Sequence, residues 1–221
     1  MGKPVITKYG IDVVVKIIFS ALIFVVLVWV ATQADSLRWG ALGVGGVLVL
    51  FTLYFFRDPE RTTPAGEDLI VSPADGKVVL IKELQEDEFL KDMAVQVSIF
   101  LSPLDVHVNR VPVSGTIQYF KYVPGKYIVA FKDKSSDANE RTHIGIEKGK
   151  CKVLLKQVAG FVARRIVADI AVGREVAAGA RFGMIKFGSR VDVLMPITAQ
   201  LRVRLRDRVI GGETILAVIQ K

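Results

Sequence analysis

Near the end of the chain a serine follows a glycine in K-F-G-S-R, Lys186 to Arg190. Ser189 has none of the surroundings of an ordinary serine nucleophile, since neither a G-x-S-x-G elbow nor an S-x-x-K motif stands there. Taken by itself, Gly188-Ser189 reads as a turn at a strand end. Few other side chains suit proton transfer or attack. The 221 residues include two histidines, His107 and His143, and one cysteine. His107, in L-D-V-H-V-N-R, is the better base, because an imidazole of ordinary pKa, about 6.5, exchanges protons near neutrality. His143 follows N-E-R-T on a predicted strand and reads either as a second base or as an exposed strand residue. Asp75, in P-A-D-G, suits a type I turn before Gly76. Arg110, Arg141 and Arg190 offer paired donors for a phosphate or carboxylate, or are solvated surface charges. Cys151, close to Val153, Leu154 and Leu155, reads as a small buried hydrophobe. A single cysteine excludes an internal disulfide and a cysteine-rich zinc site, and no metal centre is expected.

The elements that must hold these residues divide the chain into a membrane hairpin over 1–56 and a β-rich domain over 57–221. From Ile17 to Ala34, and again from Trp39 to Phe56, no side chain is charged. Each run has 18 residues. As helix that is about 27 Å, against a bilayer core of about 30 Å. Asp35-Ser36-Leu37-Arg38 between them predicts a tight turn. The hairpin either spans the bilayer or, because Gly40, Gly43, Gly45 and Gly46 weaken its second helix, embeds in one leaflet. Trp29, Trp39 and Tyr54 sit near its ends, where amphipathic rings favour the interface. Lys3, Lys8 and Lys16 precede it, Arg57 and Arg61 follow it, and the turn carries only Arg38. The positive-inside rule therefore puts both ends of the hairpin, and the large domain, on the cytoplasmic side of the cell membrane. A cleaved signal peptide is disfavoured by the second apolar run and by Asp12.

Past Phe56 the pattern changes. R-D-P-E-R-T-T-P-A-G-E-D is a polar, proline-bearing linker. Short β-branched runs follow at Leu69–Ser72, Gly76–Leu84, Ala94–Phe100, Gly115–Tyr122, His143–Glu147, Lys152–Val158, Phe161–Asp169, Val191–Met195 and Gln200–Leu205. Only Glu86–Lys91 and Asp133–Ala138 look like helical turns or loops. The fold class expected is mainly β (α+β), a compact β-sandwich or barrel-sandwich domain behind the hairpin. Val172–Ile185 and Val209–Ala217 set glycines in tight turns between short apolar strands, similar in architecture to the hairpins of biotinyl and lipoyl carriers. Lys186, between Ile185 and Phe187, lacks the flanks of a carrier's modified lysine. The formal charge is +8. With an apolar hairpin present, this balance favours an anionic membrane over nucleic acid, for which no motif is found. L-R-V-R-L-R-D-R, Leu201–Arg208, reads as an outward strand face that either meets anionic headgroups or is simply solvated.

Several pieces then line up. F-F-R-D-P-E-R follows the hairpin, V-S-P-A-D-G-K-V spans Val71–Val78, and I-F-L-S-P-L-D-V-H-V-N-R-V-P spans Ile99–Pro112. N-E-R, Asn139–Arg141, and F-G-S, Phe187–Ser189, come later. Each is weak alone, but in this order they resemble the phosphatidylserine decarboxylase family, in its short membrane-anchored prokaryotic form. The resemblance implies that Ser189 becomes the cofactor. The precursor would cut itself between Gly188 and Ser189, giving a large β chain, 1–188, and a small α chain that starts with a pyruvoyl group. The Ser189 hydroxyl would attack the Gly188 carbonyl, where glycine leaves the carbon unshielded. Elimination and hydrolysis would then leave the ketone and ammonia. That ketone condenses with the substrate amine and takes up the electrons released with CO2, as pyridoxal phosphate does. The product is phosphatidylethanolamine, in phospholipid biosynthesis.

By the same resemblance, Asp75 orients a histidine in an Asp-His-Ser arrangement with His107 and Ser189. Many family members carry two histidines three positions apart, whereas this chain has His107 and then Arg110. Arginine is no base at physiological pH. Either His107 serves both self-cleavage and decarboxylation, or His143 takes one step. The implied partners are a phospholipid, the anionic membrane and the two chains of one precursor; a homo-oligomer is compatible with the sequence. Three alternatives stay open. They are an ether-linked serine lipid as substrate, a non-catalytic membrane-tethered carrier or adaptor, and a hydrolase using Ser189 unmodified.

Overall fold

The structure is a computed structural model that describes residues 5–125, 139–149, 151–160, 166–186 and 189–219. Gly188 of the expected cleavage site, the Asp133–Ala138 loop and the first five residues of the expected Phe161–Asp169 strand lie outside the described residues. The chain forms two compact units, Met1–Glu60 and Arg61–Lys221.

In the first unit β1 (Val5–Ile6) leads to α1 (Ile11–Ala31), α2 (Asp35–Phe55) and β2 (Arg57–Asp58). The two short strands pair antiparallel. Each helix has 21 residues, about 31 Å long and enough for a bilayer core of about 30 Å. Both are long and apolar enough to cross a membrane. Their boundaries correct the expected turn. Asp35–Arg38 is the first turn of α2, because a carboxylate at the positive end of a helix dipole favours helix there. The reversal is made by Thr32–Ala34, with the Ala34 N–H donating to Thr32 Oγ1. Arg38 reaches back to the Trp29 carbonyl and Gln33 Oε1, at 3.0 and 2.9 Å. The helices meet at Gly45, where a Cβ would stand 3.1 Å from Val25 Cγ2. Most other apolar side chains face outward, Val30 being 78% exposed. Such a surface is costly in water and suits lipid. Thr52 satisfies its hydroxyl on the Leu48 carbonyl.

The second unit is built of strands, as the β-branched runs require. They are β3 (Leu69–Val71), β4 (Gly76–Glu86), β5 (Asp92–Leu101), β6 (Val108–Arg110), β7 (Gly115–Val123), β8 (Arg141–Lys148) and β9 (Cys151–Ala159). There follow β10 (Ile166–Ala168), β11 (Glu175–Val176), β12 (Arg181–Ile185), β13 (Ser189–Pro196), β14 (Gln200–Leu201), β15 (Arg208–Val209) and β16 (Ile215–Val218). Among the described residues, eight of them make one curled sheet in the order β11-β7-β8-β9-β13-β5-β4-β15. Its neighbours are antiparallel throughout. Two three-stranded sheets, β10-β12-β6 and β14-β16-β3, supply the rest. The main core joins all three: Val97, Ile99, Val191 and Val193 from the large sheet, Phe182 and Ile185 from β12, Ile70 and Leu216 from β3 and β16.

The opposite face of the large sheet carries a smaller cluster of Phe89, Ala94, Leu154 and Leu194. Central β13 is therefore buried on both sides. The 87–90 turn covers that second face. It is held by the Glu86 carboxylate, which accepts the N–H groups of Glu88, Phe89 and Leu90. The glycine turns read in the sequence are present. Gly179 and Gly212 have φ of +78° and +79°, and a Cβ on Gly212 would come within 2.8 Å of Arg110 Cδ. One strand reading is corrected: of Gln200–Leu205 only Gln200–Leu201 is strand, with one further backbone bond from the Arg202 N–H to the Leu216 carbonyl. The rest turns, because Asp207 accepts the Arg204 N–H at 2.8 Å and Arg206 takes φ +76°. Alternating arginines imitated a strand period. Cys151 is only half-buried; it packs against the main core, and burial first, then the Asp68 charge, push its thiol up.

Candidate active site

Ser189 is the first residue of β13, paired with Leu101 at the end of β5 and with Ala159 at the end of β9. Strand alternation puts it on the main-core face with Val191 and Val193. It is fully buried, and its hydroxyl has no hydrogen-bond partner among the described residues. A buried hydroxyl left this way costs about 1–3 kcal/mol, so it calls for an explanation other than packing.

The same register gathers the sequence-distant motifs. Beyond Leu101 the chain turns through Ser102–Asp105 to His107. Asp105 closes that turn, accepting the Ser102 N–H at 2.8 Å. His107 is fully buried, and its Nδ1 lies 2.9 Å from the Asp105 carbonyl oxygen. A carbonyl only accepts, so Nδ1 carries the hydrogen, and in the neutral ring the lone pair is then on Nε2, the tautomer a base requires. Two residues on, Asn109 Oδ1 accepts from Gln157, whose Oε1 accepts from Thr142. Gln157 pairs with Val191, one step along the Ser189 face. The N-E-R segment ties down the other flank: Asn139 Nδ2 donates to the Ala159 carbonyl at 2.7 Å, and the Ala159 N–H donates to Glu140 O.

The loop carrying Asp75 is stitched to β6, since the Arg110 N–H donates to the Pro73 carbonyl. Asp75 itself accepts from Arg61 Nη2 and from the Gly211 N–H, both at 2.8 Å. Arg61, read only as a flanking charge, is therefore part of this corner, and it also reaches Glu213 at 3.6 Å. Its partners lie 14 and 152 positions away, which no local pattern reveals.

The arginines and the second histidine fall elsewhere. Arg110 is buried, donating from Nη1 to the Gly179 carbonyl at 3.0 Å. Arg190 is 2% exposed and grips Asp192 at 2.8 and 3.0 Å. For both, the solvated-charge alternative is overturned, because each guanidinium is enclosed with an acceptor. Asp192 was not singled out by sequence; the i, i+2 spacing of Arg190 and Asp192 on one strand was the available signal. Arg141 is half-buried and donates to the Asn139 carbonyl at 3.2 Å.

His143 is buried rather than exposed. Alternation turns it, with Arg141 and Arg190, to the sheet face opposite Ser189. There Nδ1 meets Glu88 Oε2 at 2.5 Å. Glu88 also accepts from Tyr119 and Lys121. Burial alone would raise Glu88, but the hydrogen bonds from Lys121, His143 and Tyr119 together outweigh it and hold the carboxyl at about 2. Burial first, then Lys156, push the His143 pKa below its ordinary value despite Glu88. Among the described residues no cluster of His, Cys, Asp or Glu is suited to a metal ion.

A mainly β domain with a fully buried serine at the head of its central strand and a fully buried histidine on a loop, preceded in the chain by two helices long and apolar enough to cross a membrane, fits the class of membrane-linked enzymes. The family model for phosphatidylserine decarboxylase matches residues 48–217. The chain is 48% identical over 211 residues to a protein of Amoebophilus asiaticus named phosphatidylserine decarboxylase proenzyme, covering 92% of this chain and 94% of that one. It is 45% identical to proteins of the same name from Chlorobium phaeobacteroides, covering 95% and 98%, and Chlorobaculum tepidum, covering 96% of each. The chain belongs to the phosphatidylserine decarboxylase family, and it is a carboxy-lyase.

Proposed function

We propose that this enzyme converts phosphatidylserine to phosphatidylethanolamine in phospholipid biosynthesis, using a pyruvoyl group made from its own Ser189. One observation carries the reading: a buried serine hydroxyl, without a hydrogen-bond partner among the described residues, at the head of a strand packed on both faces. A hydroxyl kept there at a cost in stability fits a group that is to be consumed.

In this reading residues 57–221 are the catalytic domain, and the chain is cut between Gly188 and Ser189 into a large β and a small α chain. His107 Nε2 takes the Ser189 proton as the hydroxyl attacks the Gly188 carbonyl. Asp75, whose carboxylate is fixed by Arg61 and the Gly211 N–H, is the negative charge proposed to favour a protonated His107. The pyruvoyl ketone, once formed, supplies a sink for the electron pair released with CO2. His107, buried and with its tautomer set by Asp105, holds or delivers the proton needed at the reacting carbon. In this reading it serves both steps, which the placement of His143 on the opposite sheet face supports. Arg110 and Arg190 act as anchors for the glycine turns and β13, and Arg141, on the face opposite Ser189, is given no part in the reaction. The excess of basic residues flanking the hairpin puts the catalytic domain on the cytoplasmic side.

The test compares wild type with Ser189→Ala. Wild type is expected as two fragments, the smaller blocked to Edman degradation, and to release CO2 from a serine-headed phospholipid. Ser189→Ala is expected to stay whole and inactive. An intact chain with an ordinary serine in a fully active preparation would sink the reading.

A further inference from the structure

The arginine-rich segment singled out in the sequence is a rigid tip. Arg206 N–H donates to the Val78 carbonyl at 2.8 Å, and Val78 N–H donates to Asp207 O at 2.9 Å, which fastens the 204–207 turn to β4. Leu205 stands at the tip, 54% exposed. Beside it is the Ser102–Asp105 turn with Leu104, 62% exposed; the two turns are joined by Arg208 Nη1 on Asp105 Oδ1 at 3.1 Å. Single exposed leucines are unremarkable. Two on adjoining braced turns, with exposed Arg204, Arg206, Arg208 and Lys77 around them, make an amphipathic surface. The carboxylates there are engaged, Asp207 by the Arg204 N–H and Asp105 by Arg208 and the Ser102 N–H. Arg206 adds an independent sign. It occupies φ +76°, where glycine would be relaxed, so a charged side chain is kept at a backbone cost.

We infer that Leu104 and Leu205, ringed by Arg204, Arg206, Arg208 and Lys77, form a docking surface that enters the headgroup layer of an anionic bilayer. The leucines reach the acyl boundary and the arginines pair with lipid phosphates, as on an interfacial helix. The surface adjoins the candidate base, since the residue that carries the Arg208 contact, Asp105, also holds the His107 ring. That it hands headgroups to the site rests on the decarboxylase reading; the docking itself does not.

The test uses the full chain in a Cys151→Ala background, with bimane attached at Leu104→Cys, Leu205→Cys or Val172→Cys. Val172 is a control, 60% exposed beside β11, at the other end of the strand order. The protein is reconstituted into phosphatidylcholine vesicles with or without phosphatidylglycerol, containing nitroxide-labelled lipid. Quenching at positions 104 and 205 should exceed that at 172 in anionic vesicles only. Each arginine removed in Arg204→Gln and Arg206→Gln should lower the docked-to-undocked ratio by about fivefold. Probes as water-exposed as the control in anionic vesicles would overturn the assignment in favour of an acidic protein partner. Equal quenching in neutral vesicles would overturn the role of the arginines. Neither readout depends on turnover, so failure here is distinct from failure of the decarboxylase reading.

Discussion

Ser189 and Arg190 are neighbours with opposite fates. Ser189 points into the main core with its hydroxyl unsatisfied among the described residues, whereas Arg190 points to the other face and is paired in two places with Asp192. The energetics differ accordingly. Replacing Ser189 with alanine removes a polar atom that has no partner among the described residues, so Ser189→Ala should unfold no more easily than an uncleaved chain that keeps the serine, and by up to about 1 kcal/mol less easily. Denaturant unfolding of Ser189→Ala against His107→Asn, which on the proposed mechanism stays uncleaved, checks this. Asp192→Ala should instead destabilise by about 3–5 kcal/mol, because it takes from a buried guanidinium the carboxylate it grips, and Arg190→Met with Asp192→Leu should recover most of the loss. A thermal melt of the three variants decides it; a mild effect from Asp192→Ala would mean that other groups carry the Arg190 charge.

Among the elements, β8 and the 87–90 turn show how a strand's second face is organised. Gly145 lies under Phe89, and a Cβ there would stand 2.7 Å from the ring. Gly145→Ala should cost about 1–3 kcal/mol by lifting that turn, measurable as a shift in the urea midpoint. The turn, and with it β4, β5, β7, β8, β9 and β13, was largely legible in the sequence, because β-branched runs broken by polar turns have little other use. The Leu201–Arg208 segment was misread for a physical reason. Period-2 alternation marks a strand only if a neighbour accepts its hydrogen bonds, and here Asp207 and Val78 capture the backbone first. The hairpin boundary was misplaced by four residues for a related reason, since Asp35 and Arg38 were counted as turn although charges fit the first turn of a helix.

For the whole molecule, two titrations act in one direction. His143 has a folded pKa below its ordinary 6.5, so the stability it contributes is complete above that pH and is lost as pH falls towards the folded value. Glu88, lowered from 4.5 to about 2, adds a second loss below pH 4.5. The urea midpoint of the detergent-solubilised chain should therefore fall in two stages on acidification, and Glu88→Gln should remove the lower one. Topology is open to a separate check. If the catalytic domain is cytoplasmic and the hairpin spans, Ser36→Cys in a Cys151→Ala background should label with an impermeant maleimide added outside intact cells; protection there until lysis would contradict a spanning hairpin. The hairpin, the β-rich class and the family motifs follow from local sequence, because charge-free runs, β-branching and glycine turns act over a few residues. The tertiary structure alone decided which side of each strand meets Ser189. Alternation says that neighbours face opposite ways, but on a strand buried on both faces it does not say which face holds the chemistry. That choice turned Ser189 to the main core, His143 to Glu88 and Arg190 to Asp192.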